Sequence, residues 1–158
     1  MSDAAPVRRP SAVAAQDHFV IVASEFNAEF VDGLIAHALT HLRNAGGDAE
    51  VVRVPGAFEI PVVVRELVRA GSASAILAMG VILKGRTDHA EHLARCVTDA
   101  LQRIALESAV PVIHCVLSLA DEEQARERCL GEKINRGTEA AEAALGVTRV
   151  LRDLRQRG

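Results

Sequence analysis

The chain has 158 residues, 49% of them hydrophobic and 25% charged, enough for one domain with a substantial core. A formal net charge of -3, four Phe and no Trp or Tyr exclude a basic, base-stacking nucleic-acid surface. The longest apolar run around residue 80, Ala75–Leu83, is far too short to span a bilayer.

Residues 1–17, MSDAAPVRRPSAVAAQD, carry Arg8 and Arg9 but no continuous apolar core before a cleavage site. They predict a flexible tail rather than a signal peptide, followed by one domain over 18–158. Phe19–Ser24 is a β-branched apolar run, a strand buried on both faces. Asn27 is placed to cap a helix whose apolar residues, Phe30 to Leu42, keep helical spacing until Gly46-Gly47 stops it. Ala49–Val54 is a second strand, closed by Pro55-Gly56. Over Ile60–Ala70 the Val62-Val63-Val64 run favours strand locally, but Pro61 in a first turn and Gly71 after the end favour helix.

Ala75–Leu83 is the third strand. A helix follows over about His89–Ser108, with Asp88 and Glu91 spaced as a capping box. Val110–Leu117 is the fourth strand, and Ala120–Leu130 and Thr138–Arg155 are the last helices. Strands alternating with helices predict an α/β fold: a single three-layer α/β/α sandwich around a four-stranded parallel sheet, flavodoxin-like.

Ligands in such folds collect at the carboxyl ends of the strands, where helix N-termini offer free N–H groups. Phe26 and Asn27, Pro55 to Glu59, Lys84 to His89, and Ser118 all follow predicted strands. The stretch GVILKGRT (80–87) nearly matches the phosphate loop of nucleotide hydrolases. That reading fails, because Gly80 lies inside the strand and Arg86 replaces the phosphate-binding Lys. Gly85, Arg86 and Thr87 at a helix start still suit one phosphate.

His89 stands beside that turn, and a histidine side chain is suited to moving protons; position alone leaves proton transfer and helix capping both open. His37 and His41 lie one turn apart but lack a third ligand, so no metal site is expected. Cys96, Cys115 and Cys129 form no CxxC pair and read as small apolar residues in a reducing, cytoplasmic setting.

Five stretches occur in order: FVIVASEFN (19–27), VPGAFEIP (54–61), GVILKGRTDH (80–89), VPVIHCVLS (110–118) and NRGTEAAEAAL (135–145). Together they resemble the lumazine synthase (6,7-dimethyl-8-ribityllumazine synthase) family over about residues 18–155. The resemblance implies riboflavin biosynthesis: 5-amino-6-(D-ribitylamino)uracil condenses with 3,4-dihydroxy-2-butanone 4-phosphate, releasing phosphate and water. It implies no metal and no bound redox cofactor.

By position in those motifs, Phe26 would stack on the pyrimidine, and Asn27, Ala57 and Glu59 would hold the ribityl chain. Val81 and Leu83 would offer backbone groups, with Phe58 and Ile82 completing the wall. His89 would carry protons. Arg128 would bind phosphate with the amides of Arg86 and Thr87, and Glu139 would support the site. His114 would join the substrate-binding set at a position where an aromatic residue is frequent.

The family's usual Gly-Glu-Thr-Pro-His-Phe turn is Gly-Arg-Thr-Asp-His-Ala here, and the expected Lys of an Asn-Lys-Gly segment is Arg136. The resemblance further implies pentamers, some closing into sixty-subunit shells, with each site shared by two neighbours. A non-catalytic flavin or lumazine binder, or a shell scaffold, is the competing class; His89 together with Arg128 argues against it. A signalling receiver domain needs an acidic cluster after the first strand and an Asp after the third, which Ser24-Glu25-Phe26 and Lys84-Gly85 do not supply.

Overall fold

A computed structural model of the chain describes residue 7 and residues 12–158. The strands are β1 (Phe19–Ser24), β2 (Ala49–Val54), β3 (Ala75–Leu83) and β4 (Val112–Leu119), all parallel, in the order β2-β1-β3-β4. The helices are α1 (Ala28–Asn44), α2 (Ile60–Ala70), α3 (His89–Ser108), α4 (Glu122–Ala125) and α5 (Arg136–Arg157).

Side chains alternating along the strands divide the core into two layers. Phe19, Ile21, Ala23, Leu77, Met79 and Cys115 meet α1 and α5. Val20, Val22, Ile76, Ala78 and Val116 meet α2 and α3. The expected three-layer α/β/α sandwich is therefore present, with the strand order of flavodoxin-like sheets. That order reverses between β1 and β3, which opens a crevice above their carboxyl ends.

The helical reading of residues 60–70 holds despite three consecutive valines. Ile60 and Val64 are fully buried on one face while Val62 is 68% exposed; this burial outweighs the weak local preference for strand. Gly71 ends α2 in the left-handed conformation (φ 75°), its N–H donating to the carbonyls of Leu67 and Val68.

Several sequence expectations change. Asn27 begins α1 but does not cap it: its backbone is left-handed (φ 55°, ψ 45°), whereas a capping side chain needs an extended residue. Asp88 makes no capping bond either, being at φ -74° and ψ 2°, and Glu91 turns instead to Arg95 at 2.7 Å. β4 runs two residues later than expected. It starts behind Pro111, whose carbonyl accepts from Ile76 N–H, and it continues until Leu119 accepts from Lys84 N–H at 2.8 Å.

The expected helix over residues 120–130 divides into α4 and a widened π turn at Arg126–Leu130. Asn135 then starts α5 two residues early, its Oδ1 accepting from the N–H groups of Gly137 and Thr138.

Part of the expected tail lies on the domain. Val13 N–H donates to Ala45 O at 3.0 Å, and the Asp17 carboxylate, 5% exposed, pairs with Arg152. The remainder of that tail, residues 1–6 and 8–11, lies outside the described residues. Among the described residues, no helix is long and apolar enough to cross a membrane.

Candidate active site

The crevice above β1 and β3 holds a cavity of about 470 Å³. Backbone bonds beyond the strand ends shape its rim. Glu25 N–H donates to Val54 O at 2.8 Å and Phe26 N–H to Pro55 O at 3.3 Å, so the β1 and β2 exits run side by side. Phe26 thereby faces the turn that carries Ala57, Phe58 and Glu59. Both rings stand open, Phe26 at 73% and Phe58 at 63% exposure, a surface that calls for a covering molecule.

Asn27 ties the rim to β3. Its Nδ2 donates to Val81 O at 2.7 Å, and its left-handed backbone, which Asn tolerates better than most residues, points the side chain there. The carbonyl of Asn27 still accepts the first bonds of α1, from Phe30 and Val31. Glu59 folds back over Gly56, where a Cβ would meet its Oε2 at 2.9 Å. His89, the first residue of α3, is exposed on the rim, while the next residue, Ala90, is buried and anchors the helix start.

Nine of the expected residues thus line one cavity: Phe26, Asn27, Ala57, Phe58, Glu59, Val81, Ile82, Leu83 and His89. Gly56, within the expected Pro55–Glu59 stretch, lines it too, as do Ser24 and Leu93, which the sequence does not single out. Ser24 is the last residue of β1, and Leu93 stands one helical turn after His89; both positions carried a signal of place but none of chemistry.

Four expected residues are not among the cavity's lining. Arg86 and Thr87 are exposed on the turn that follows β3. Arg128 is 6% exposed within the π turn, its Nε 3.9 Å from the Glu127 carboxylate. His114 stands on the edge strand β4 and lines a separate cleft of about 290 Å³ with Arg136 and Glu139, themselves an ion pair.

The His114 ring is bonded through both nitrogens. Val116 N–H donates to Nδ1 at 3.3 Å, so Nδ1 carries no proton. Nε2–H then donates to Thr98 Oγ at 2.7 Å, and that hydroxyl donates to Ala94 O. Although the residue is partly open to solvent, desolvation holds its pKa below the ordinary histidine value. Among the described residues, no group of three His, Cys, Asp or Glu is placed to hold a metal ion.

A family model described as 6,7-dimethyl-8-ribityllumazine synthase matches residues 16–152. Three proteins carrying that same name are similar along most of their length. The one from Leifsonia xyli subsp. xyli is 44% identical over 138 residues, covering 86% of this chain and 87% of its own. That from Halorhodospira halophila is 40% identical over 146 residues, covering 90% and 94%. That from Nitratidesulfovibrio vulgaris (strain DSM 19637 / Miyazaki F) is 39% identical over 139 residues, covering 86% and 89%. The matched span takes in β1 through most of α5, and with it both the cavity and the edge cleft: this chain belongs to the 6,7-dimethyl-8-ribityllumazine synthase family.

Proposed function

We propose that the β1/β3 cavity is where this enzyme of riboflavin biosynthesis joins its two substrates. The convergence of nine expected residues at the strand ends, with His89 on the rim, carries the reading. The pyrimidine of 5-amino-6-(D-ribitylamino)uracil stacks on Phe26, and its ribityl hydroxyls bond Asn27, Glu59 and the Ala57–Phe58 backbone. The amine attacks the ketone of 3,4-dihydroxy-2-butanone 4-phosphate. Loss of water gives an imine, phosphate leaves, and ring closure releases a second water. Each step moves protons between oxygen and nitrogen, which suits a histidine on a solvent-open rim. Holding the two reactants together supplies the rest.

The phosphate is bound by Arg128 with the amides of Arg86 and Thr87. Within one chain Arg128 and His114 are not among the cavity's lining, which supports their coming from a neighbouring subunit. Open edges at β2 and β4 and the exposed Phe26, Phe58, Val62 and Leu106 support a homo-oligomer. A cytoplasmic pentamer, or a shell built from pentamers, fits this arrangement.

Incubation with both substrates should produce the fluorescent lumazine; no product from folded protein would remove the reading. The sharing of sites has its own test. Asn27→Ala with Glu59→Ala disables one half, and Arg128→Ala the other. Co-refolding the two variants at equal amounts should restore activity towards about a quarter of wild type, the fraction of interfaces pairing two intact halves in a randomly mixed ring. Mixed rings as inactive as either parent would put both halves in one chain.

A further inference from the structure

Ser24 is 1% exposed, yet its hydroxyl has no hydrogen-bond partner among the described residues, and the residue lines the cavity. A buried hydroxyl without a partner is unfavourable, and alanine would fill the same place without that cost. The fold therefore gains nothing from the oxygen. The strand faces explain where it points. Val20 and Val22 face α2 and α3, so Ser24, two residues on, faces the same side, next to Gly80 on β3.

Gly80 matters because of what a side chain there would do. A Cβ would stand 3.1 Å from Ser24 Oγ, but 3.4 Å from Val116 and 3.5 Å from Ile60. Only the serine contact would be tight. The bare backbone at residue 80 leaves the hydroxyl room to turn about its Cα–Cβ bond toward the cavity.

We infer that Ser24 is a positioning residue for the pyrimidine substrate, its hydroxyl swinging out to donate to an oxygen of the bound ribitylaminouracil while Gly80 keeps that rotation open. The inference rests on the cavity being the pyrimidine site. A serine hydroxyl suits the task because it both donates and accepts, and the amino-uracil and its ribityl chain offer both kinds of partner.

The test measures binding of 5-amino-6-(D-ribitylamino)uracil alone, without turnover, to wild type, Ser24→Ala, Ser24→Cys, Gly80→Ala and Ser24→Ala with Gly80→Ala. Ser24→Ala and Ser24→Cys should each raise the Kd about tenfold, the effect of losing one hydrogen bond. The KM for the butanone phosphate should stay put, and the melting temperature of the ligand-free protein should hold or rise. Gly80→Ala should weaken binding when Ser24 is present and add nothing when it is absent, a non-additivity that a purely structural role would not produce. Wild-type affinity in both serine variants overturns the inference, as does a loss shared equally by both substrates with a lowered melting temperature. A wild-type protein that fails to bind the pyrimidine, or whose affinity is untouched by Asn27→Ala, brings down the site reading itself.

Discussion

The cavity above β1 and β3 and the region around the π turn are built on opposite plans. The cavity is made of chain exits: its residues lie in the last positions of strands β1 and β3, just beyond the strand ends, or at the start of α3. Its two phenylalanine rings are more than half exposed. The π-turn region is made of close approaches. A Cβ on Gly33 of α1 would meet Cys129 O at 2.7 Å, and one on Gly137 of α5 would meet Leu34 O at 2.1 Å. Asn135 fastens this packing, its Nδ2 donating to Cys129 O and Gly131 O while its Oδ1 caps α5. The first surface stays open; the second, which fixes one arginine, is closed around it. Substitutions in the first should change turnover and leave the fold alone, and substitutions in the second should change both.

Gly137→Ala tests that contrast most severely. Its methyl would run into the Leu34 backbone, which no rotamer change can relieve. The expected cost is about 3 kcal/mol or more, with loss of folded protein. Gly146, on the same helix, has nothing within 4 Å of a Cβ, so Gly146→Ala should instead stabilise by about 0.5–1 kcal/mol. Urea denaturation of both reads the difference. Equal stabilities would mean that α1 and α5 are not packed this closely.

The same contrast explains what was legible in the sequence. β1, β2, β3, α2 and α3 were readable with their boundaries, because short apolar runs bounded by Gly and Pro mark buried strands and the turns after them. The cavity was readable because its residues sit next to those marks. Asn27 misled: its type suited a helix cap, but the left-handed backbone and the Val81 carbonyl claimed it. The π turn left no mark at all. QARERCL continues a plain helical pattern, and the glycines and asparagine that reshape it lie on α1 and beyond the turn, in contacts that a local pattern does not encode. Arg128 was therefore named by resemblance, while its burial came only with the fold.

Arg128→Ala is the next largest effect. The KM for the butanone phosphate should rise about 30- to 1,000-fold, the range for removing one partner of a desolvated charge pair, with little change in that for the pyrimidine. Because the residue is buried, stability should fall as well, so the rates must be measured on protein shown to be folded. Arg128→Lys should recover part of the loss, keeping the charge but not the planar fork. Equal effects on both substrates would separate Arg128 from the phosphate.

On the open side, His89→Ala should lower turnover by about 10²-fold or less and leave both the pyrimidine affinity and the melting temperature unchanged, since the residue is exposed at a helix start. A folded variant with wild-type turnover would reduce His89 to a rim residue. A large drop in stability would break the contrast from the other direction, by making the cavity rim structural.

The smallest effect belongs to His114, which lies at the border of the two plans: on an open edge strand, yet bonded to two groups, Val116 N–H and Thr98 Oγ. Its pKa in the folded chain lies below the ordinary value, chiefly through desolvation. The unfolded chain, with histidine near about 6.5, therefore binds the proton first as pH falls. Stability from this group is complete above that pH and is lost as pH drops from there toward the lower folded value. His114→Gln keeps an acceptor for Val116 N–H but does not titrate. Between pH 7.5 and 5.5 the wild type should lose slightly more melting temperature than the variant. Parallel curves would show that the Val116 and Thr98 contacts do not hold the ring neutral, and His114 would then belong with the open, freely titrating surface.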